Sequence, residues 1–157
     1  MPQVKLNKAV PDFSAAATSE QTISLSDFKG KKHVILYFYP KDDTSGCTTE
    51  GQNFRDSILL FDEADAVILG VSRDSIKKHE NFKAKQNFPF ELLSDPEETL
   101  CKLFDVIKEK QLYGKKYMGI ERSTFLINKQ GELTAEWRKV KVKGHVDEVL
   151  EATQGLS

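Results

Sequence analysis

The sequence predicts an α/β fold in which a central mixed β-sheet is flanked by helices. Two runs, His33–Tyr39 and Ala66–Val71, are continuously apolar or aromatic, as in strands that are covered on both faces. Segments with a helical spacing of apolar residues separate these strands from each other and from a later hairpin. Because strands and helices alternate along the chain, we expect helices on both sides of one sheet.

Five segments are predicted as strands. They are Gln21–Leu25, His33–Tyr39, Ala66–Val71, Thr124–Asn128 and Glu132–Val140. The first is short and resembles an edge strand, and the second ends at Pro40 because proline cannot donate to a sheet ladder. A turn at residues 129–131 joins the last two strands, which are therefore expected to pair as a hairpin.

Four segments are predicted as helices. They run from Cys47 through Phe61, over Ser75–Gln86, from Pro96 through Phe104 and over His145–Thr153. In the first, Phe54, Ile58 and Phe61 follow one another at four- and three-residue steps and define an apolar face. Asp74 is expected to cap the second helix, and Pro96 suits the first turn of the third because its missing N–H is not needed there.

The length of 157 residues and the lack of any linker-like stretch predict a single domain over residues 1–157. Lys and Arg number 23 and Asp and Glu number 24, which gives a formal charge of −1 with both signs interspersed. This balance argues against nucleic acid or an anionic membrane as the main partner. The sequence has no run of about 18 apolar residues that would span a membrane, and its first residues do not resemble a signal peptide. We therefore expect a cytoplasmic protein.

Cys47 and Cys101 are the two cysteines of the chain. Two distant cysteines exclude a disulfide framework and any site built from four thiolates, and they fit a reducing compartment. The three histidines, His33, His79 and His145, lack metal-ligand spacing and are expected on the surface or at helix ends. The sequence therefore predicts no metal site.

Residues 39–50, YPKDDTSGCTTE, carry the strongest chemical signal. They form a polar, turn-rich loop that delivers Cys47 into the first turn of a helix, where free backbone N–H groups and the helix dipole favour an anion. A thiol there is expected to exist partly as the thiolate, which is the nucleophilic form. Helical phase places Gly51 on the same face, so we expect the sulfur to point inward to a recessed pocket beside the glycine. A buried, inert thiol is the alternative, since free cysteines are often packed as small apolar residues.

The spacing of Pro40, Thr44 and Cys47 resembles the active-site motif of the peroxiredoxins. The longer run FYPKDDTSGCTTE is similar to their bacterioferritin-comigratory-protein, or peroxiredoxin Q, branch. The likeness continues over nearly the whole chain, in residues 9–15 (AVPDFSA), 71–79 (VSRDSIKKH), 88–95 (FPFELLSD), 122–127 (RSTFLI) and 137–149 (WRKVKVKGHVDEV). The resemblance implies a thioredoxin-like fold and a thiol-dependent peroxidase that reduces hydrogen peroxide and organic hydroperoxides. It also implies that no metal or organic cofactor takes part, and that the protein serves antioxidant defence and cell redox homeostasis.

The resemblance assigns four residues to the active site. Cys47 is the peroxidatic nucleophile, which becomes a sulfenic acid. Thr44 holds the thiolate and the peroxide through its hydroxyl, and Pro40 shields the sulfur from water. Arg122 matches the active-site arginine of the family by its position. A guanidinium near sulfur favours the thiolate and can donate to the peroxide oxygens, which supports this role. Glu50 either orients this arginine or is an acid that suits the dipole at a helix start.

A second thiol must reduce the sulfenic acid, and the usual resolving cysteines of this branch are missing. Gln52 stands where many members have one, five residues after the peroxidatic cysteine, and Lys83 stands at the other usual position. Cys101 is either a packed core thiol, which we favour, or a resolving cysteine if its Cα can come within about 7 Å of that of Cys47. We expect a one-cysteine cycle in which thioredoxin, a glutaredoxin with glutathione, or a small thiol is the reductant.

Two rival functions use the same fold. A peroxide sensor that passes its oxidation to a partner protein would share the Cys47 chemistry but turn over poorly with every reductant. A binding protein without catalysis is disfavoured, because all four motif residues are present. No long apolar stripe is evident on the predicted surface, so we expect a monomer.

Overall fold

The computed structural model describes residues 3–156, which form a seven-stranded sheet, a separate two-stranded sheet and five α-helices. The strands are β1 (Ser14–Ala17), β2 (Gln21–Ser24), β3 (His33–Phe38), β4 (Ala66–Ser72), β5 (Glu91–Ser94), β6 (Ile107–Leu112), β7 (Lys115–Ile120), β8 (Ser123–Ile127) and β9 (Leu133–Trp137). The helices are α1 (Ser45–Asp56), α2 (Ile58–Glu63), α3 (Ile76–Gln86), α4 (Thr99–Leu103) and α5 (His145–Gln154). No helix in this part of the chain is long and apolar enough to cross a membrane.

The large sheet has the strand order β2-β1-β5-β4-β3-β8-β9. β3 pairs parallel with β4 and antiparallel with β8, and β4 pairs parallel with β5. The outer pairs are antiparallel. The predicted central mixed sheet is therefore confirmed, and β2 is the edge strand expected from the sequence.

The core lies on both faces of this sheet because the side chains of each strand alternate. On β3, Val34, Leu36 and Phe38 belong to one apolar cluster, and Ile35 and Tyr37 belong to the other. The first cluster includes the buried apolar residues of α4, and the second includes those of α1, α2, α3 and α5. We call these sides the α4 face and the α1 face. The predicted placing of helices on both sides of one sheet is confirmed.

The predicted helix from Cys47 through Phe61 is two helices. Ser57, with φ −105° and ψ 10°, separates α1 from α2, and its N–H bonds to the carbonyl oxygen of Phe54 over 3.2 Å. Phe54 and Phe61 still pack together, with ring centroids 5.8 Å apart. The apolar spacing is thus satisfied across the break, which is why the sequence does not reveal it.

The start of α4 is also wrong in the prediction. The helix begins at Thr99 and not at Pro96, because Glu98 adopts the left-handed conformation with φ 64°. The Asp95 carboxylate accepts hydrogen bonds from the N–H groups of residues 100 and 101. The proline and the acids therefore form a turn that caps the helix without being part of it.

Two boundaries depend on local hydrogen bonds and dihedrals. Ser75, and not Asp74, caps α3, since its hydroxyl accepts from the N–H of Lys78 over 3.3 Å. β9 ends at Trp137, three residues before the predicted end, and Lys139 follows with φ 51°, which a strand does not allow.

The strands that the sequence does not predict are β1, β5 and the hairpin of β6 and β7. β1 and β5 are four residues long, and the hairpin is rich in lysine, so neither shows a clear apolar pattern. The hairpin exposes large apolar side chains: Leu112, Tyr113, Tyr117 and Met118. The absence of an apolar surface stripe, on which the expectation of a monomer rests, therefore does not hold at the hairpin.

Candidate active site

Cys47 lies in the first turn of α1, directly after the loop that leaves β3. We call residues 39–44 the Cys47 loop. Thr44 is the N-cap of α1, and its carbonyl oxygen accepts from the N–H of Thr48 over 2.9 Å. The N–H groups of residues 45–47 therefore lie at the positive end of the helix. Cys47 is a free thiol, 2% exposed, on the α1 face of the sheet.

Arg122 reaches Cys47 from the strand beside β3. Ser123, at the start of β8, lies opposite Phe38 at the end of β3, so Arg122 stands next to the beginning of the Cys47 loop. Its Nη2 donates to Cys47 Sγ over 3.4 Å. A cationic donor at this distance favours the thiolate over the thiol. The structure thus brings together two of the predicted site residues.

Glu50 holds the other side of the Arg122 guanidinium. Arg122 Nη1 donates to Glu50 Oε1 over 2.7 Å, and the Glu50 side chain is fully buried. Burial raises the pKa of Glu50 to about 7, although Arg122 acts in the opposite direction. Glu50 Oε2 has no hydrogen-bond partner among residues 3–156. Of the two interpretations of Glu50, this geometry agrees with the one in which it orients the arginine.

Two glycines of α1 allow close packing around Cys47. A Cβ at Gly46 would lie 3.1 Å from Arg122 Nη2, so a larger residue would crowd the guanidinium. A Cβ at Gly51 would lie 2.3 Å from Cζ of Phe88, whose ring fills the space beside this glycine. The expected pocket beside Gly51 is therefore wrong. Phe88 follows α3, far from α1 in sequence, so helical phase alone could not reveal it.

Thr44 and Pro40 lie in the Cys47 loop, but neither is hydrogen-bonded to the sulfur. The Thr44 hydroxyl donates to the carbonyl oxygen of Lys41 over 2.8 Å. Its oxygen can still accept a hydrogen bond from a bound peroxide. Pro40 is partly buried and follows Tyr39, which is 1% exposed. Their assigned roles therefore stay predictions that depend on how a substrate binds.

Cys101 is the other free thiol, and the structure does not bring it to Cys47. It lies in α4 on the α4 face, so the large sheet separates the two sulfur atoms. Burial raises the pKa of Cys101 well above its ordinary value, and the Asp95 carboxylate acts in the same direction. Cys101 therefore remains a protonated thiol within an apolar cluster.

All three histidines are buried, which corrects the expectation of a surface position, while His145 stands at the start of α5, as the alternative of a helix end predicts. His33, His79 and His145 are 5%, 0% and 4% exposed. Nε2 of His145 lies 2.8 Å from the hydroxyl of Thr124. Burial lowers the pKa of His145 to about 4, and the nearby Arg122 adds to this effect. The sequence could not reveal the polar partners of His79 and His145, and Nδ1 of His33 is buried without a hydrogen-bond partner among residues 3–156.

Asp42, Asp74 and His79 form a cluster whose ligand atoms all lie within 4.8 Å of one another. Both ring nitrogens of His79 are already used, one by Asp42 and the other by the carbonyl oxygen of Leu93. The backbone N–H of Asp42 donates to Asp74 Oδ2 over 2.8 Å. The cluster is therefore a hydrogen-bond network that fixes the Cys47 loop.

The arrangement around Cys47 suits nucleophilic attack on a small electrophile. A sulfur at a helix N-terminus, with a guanidinium beside it, is stabilised as the anion that attacks. The same guanidinium can donate to an oxygen that gains negative charge. Since Cys47 is almost fully buried, the geometry favours a thin substrate that can reach a recessed sulfur.

Comparisons of the sequence with known proteins agree with this chemistry. A sequence model of the AhpC/TSA family matches residues 6–136. The peroxiredoxin Bcp of Bacillus subtilis (strain 168) is 54% identical over 154 residues, which cover 98% of this chain and 98% of that protein. The peroxiredoxin Bcp of Xanthomonas campestris is 60% identical over 119 residues, which cover 76% of this chain and 74% of that protein.

Solved structures with the same fold have similar sequences. A structure of the bacterioferritin comigratory protein of Xanthomonas campestris, studied for its alkyl peroxide reduction activity, matches with a TM-score of 0.87 and 50% identity. The match covers 92% of this chain and 91% of that one. A cysteine-to-serine mutant of PrxQ from Xylella fastidiosa matches with a TM-score of 0.92 and 41% identity, over 99% of both chains.

Proposed function

The chain belongs to the peroxiredoxins of the AhpC/TSA family, and we propose that it reduces hydrogen peroxide and organic hydroperoxides through Cys47. The observation that carries this proposal is the hydrogen bond from Arg122 Nη2 to Cys47 Sγ at the start of α1. Peroxide reduction needs an anionic nucleophile and a donor for the charge that develops on oxygen, and this pair can supply both. The alkyl peroxide reduction described for the Xanthomonas campestris relative supports organic hydroperoxides as substrates.

In the first step, the Cys47 thiolate attacks the terminal oxygen of the hydroperoxide. A sulfur–oxygen bond forms as the oxygen–oxygen bond breaks, and Cys47 is oxidised to a sulfenic acid. The other oxygen leaves with the electron pair and takes up a proton to become water or an alcohol. Arg122 donates to this oxygen as its charge grows, Thr44 hydrogen-bonds the peroxide, and Pro40 limits the access of water.

In the second step, an external thiol reduces the sulfenic acid. The thiol attacks the sulfenic sulfur, water leaves, and a mixed disulfide forms; a second thiol then releases Cys47 and the oxidised disulfide product. Cys101 is disfavoured as an internal partner, because it lies on the α4 face and its thiol stays protonated. Thioredoxin, glutaredoxin with glutathione, and small thiols can each supply the required pair of thiols.

The two positions that often carry a resolving cysteine in this branch have polar structural roles here. Gln52 Nε2 donates to Oε1 of Gln86 over 2.9 Å, which joins α1 to the end of α3. Lys83 Nζ lies 2.6 Å from Glu91 Oε1, which joins α3 to β5. These contacts support a cycle in which α1 and α3 stay packed while an outside thiol acts on Cys47.

We further propose that residues 1–157 form one domain, because the seven-stranded sheet carries both apolar clusters. Such a peroxidase would serve antioxidant defence and redox homeostasis. A sensor or relay function would share the first step and differ only in the second. Steady turnover with any one of the three reductants favours the peroxidase, whereas oxidation of Cys47 without turnover favours the relay.

Intact mass after one equivalent of hydrogen peroxide, with and without a sulfenic-acid trap, tests the proposal. We expect a trapped adduct at Cys47 while Cys101 stays a free thiol. A loss of two hydrogens without an adduct would instead indicate a disulfide between Cys47 and Cys101, and the one-cysteine cycle would be wrong. An unchanged mass would refute the peroxidase function itself.

A further inference from the structure

A buried hydrogen-bond network fixes the Cys47 loop, and the reaction steps above do not use it. Its centre is Asp42, 8% exposed, and His79, 0% exposed. His79 Nδ1 lies 2.6 Å from Asp42 Oδ2, and His79 Nε2 lies 2.8 Å from the carbonyl oxygen of Leu93 in β5. The hydroxyl of Tyr39 donates to Asp42 Oδ1 over 2.6 Å. A single carboxylate thus joins the two ends of the turn within the loop and, through His79, joins the loop to α3 and β5.

The geometry determines how many protons the Asp42–His79 pair holds. A carbonyl oxygen can only accept, so His79 Nε2 must carry a hydrogen. Burial raises the pKa of Tyr39 well above its ordinary value, so its hydroxyl keeps its proton and acts as the donor to Asp42. A further proton must lie between His79 Nδ1 and Asp42 Oδ2, because otherwise two lone pairs would face each other at 2.6 Å. The pair therefore holds one proton more than a neutral imidazole beside a carboxylate.

Charged groups from several elements surround this shared proton. Asp74, in the loop after β4, accepts from the N–H of Asp42 and from the hydroxyl of Ser72. β5 presents the uncharged carbonyl oxygen of Leu93 to the ring. The cationic side chains at the open side of Asp42 are Lys41, Lys78 and Lys85. Since two carboxylates and one imidazole meet inside the protein, the shared proton balances part of their negative charge.

We propose that Asp42 and His79 are positioning residues for the peroxidase reaction, because the proton they share holds the Cys47 loop in place. Pro40 and Thr44 lie two residues before and after Asp42, so a displaced Asp42 moves both of them relative to Cys47. Loss of the shared proton leaves His79 Nδ1 and Asp42 Oδ2 in repulsion and releases the loop. This inference rests on the proposed function, since oxidation of Cys47 is the reaction that the loop position controls.

The variant Asp42→Asn tests the role of the proton, since it keeps every hydrogen bond. The side-chain amide donates to Nδ1 of a neutral His79, and the amide oxygen still accepts from Tyr39. At pH 7 we expect the second-order rate constant for oxidation of Cys47 by hydrogen peroxide to stay within about threefold of wild type. Asp42→Ala leaves His79 Nδ1 and the Tyr39 hydroxyl without a partner, and we expect its rate constant to fall about ten- to a hundredfold.

Two further variants separate positioning from general damage. His79→Phe removes both ring hydrogen bonds, and we expect a loss of about ten- to a hundredfold in the rate constant, since buried polar groups lose their partners. Asp43→Asn breaks the exposed ion pair of the same loop with Lys85, which measures 3.0 Å. We expect Asp43→Asn to keep the wild-type rate constant.

Hydrogen exchange of the backbone amides of residues 41–44 supplies a readout that needs no activity. In the Cys47→Ser background at one fixed pH, we expect exchange in this loop to be faster in Asp42→Ala and in His79→Phe than in the parent, and Asp42→Asn to match the parent. Parent-like rate constants and parent-like exchange in both Asp42→Ala and His79→Phe would overturn the proposal. If Cys47 is not oxidised by peroxide at any pH, the proposed function fails, while the exchange measurement still decides whether the shared proton holds the loop.

Discussion

Cys47 and Cys101 are both buried free thiols with a buried carboxylate nearby, yet the charged groups around the two sulfur atoms are arranged differently. Near Cys47, the carboxylate of Glu50 binds Arg122, and the guanidinium faces the sulfur. Near Cys101, the carboxylate of Asp95 accepts the N–H of the cysteine itself, and its charge raises the pKa of the thiol further above the effect of burial. Both thiols are buried, so they differ in the charged group beside each of them, which is a guanidinium at Cys47 and a carboxylate at Cys101.

The two faces of the sheet also use their arginines differently. Arg122, on the α1 face, donates hydrogen bonds from its two terminal nitrogens to Glu50 and Cys47. Arg138, which lies 5.1 Å over the ring of Phe125 at the α4 face, donates to backbone carbonyl oxygens of residues 104 and 105. The Arg122 guanidinium thus contacts the proposed nucleophile. The Arg138 guanidinium binds carbonyl oxygens at the end of α4 and in the loop that follows it.

The largest expected effect comes from exchanging the thiols one at a time. Cys47→Ser should abolish peroxide consumption, because a hydroxyl is not a comparable nucleophile near neutral pH. Cys101→Ser should leave most of the activity, because the sulfur on the α4 face takes no part in either step. Peroxide consumption in the presence of a thiol reductant measures both. Retained turnover in Cys47→Ser would mean that Cys47 is not the nucleophile, and the contrast between the two thiols would be wrong.

The next effect concerns the two arginines. Arg122→Lys should lower the rate constant for oxidation of Cys47 by about a hundredfold, since lysine cannot bind Glu50 and the sulfur with one planar group. Arg138→Lys is the matched control and should change that rate constant by less than about threefold, because its contacts lie on the other face. Rapid-quench measurements of free Cys47 against peroxide concentration give both values. Equal losses in the two variants would mean that Arg122 acts through stability.

The elements of the fold that can be predicted from the sequence are those that depend on interactions between neighbouring residues. The buried runs of β3 and β4 and the placing of Cys47 at a helix start follow from neighbouring residues, and the structure confirms them. β5 escapes detection because it is short and pairs with strands that are distant in sequence, β1 and β4. The hairpin of β6 and β7 pairs locally, but its lysine-rich sequence shows no clear apolar pattern. The break at Ser57 preserves the spacing of the flanking phenylalanines, so periodicity could not detect it.

The active site likewise has features that can be predicted from the motif and features that depend on distant residues. Cys47 and Arg122 were found through motif resemblance, and their contact depends on the register that sets Ser123 opposite Phe38. The packing of the Phe88 ring against Gly51 cannot be predicted from the sequence, because the helical pattern of α1 does not identify the distant residue that contacts its glycine. The burial of His79 and His145 depends likewise on hydrogen-bond partners supplied by other elements.

A smaller effect is a pH dependence of stability that arises from Glu50, beside Arg122 and Cys47. The pKa of Glu50 is raised by burial from its ordinary 4.5 to about 7, against the opposing effect of Arg122. Between these values the folded protein holds a proton that the unfolded chain has lost, so the contribution of Glu50 to the free energy of unfolding is fully present below pH 4.5 and is lost as pH rises to about 7. The whole change is about 3 kcal/mol.

Glu50→Gln makes this contribution measurable, because glutamine cannot ionise and can still accept from Arg122. Relative to the parent protein, the variant should gain stability steadily from pH 4.5 to about 7 and hold a constant difference above it. Urea unfolding at several pH values, in the Cys47→Ser background so that the thiol does not titrate, gives the difference directly. Parallel pH profiles for parent and variant would show that Glu50 is ionised throughout, and the contrast with Asp95 would weaken.

The smallest expected effect tests whether Asp95 accepts a hydrogen bond from the side chain of Cys101. Cys101→Ala removes a buried sulfur from the α4 face and should lower the free energy of unfolding by about 1–2 kcal/mol through lost contacts and a small cavity. Cys101→Ser puts a hydroxyl in nearly the same volume, and that hydroxyl can donate to the Asp95 carboxylate. We therefore expect the serine variant to be the more stable of the two in urea unfolding. If the alanine variant is more stable, the apolar surroundings outweigh the carboxylate, and burial alone keeps this thiol inert.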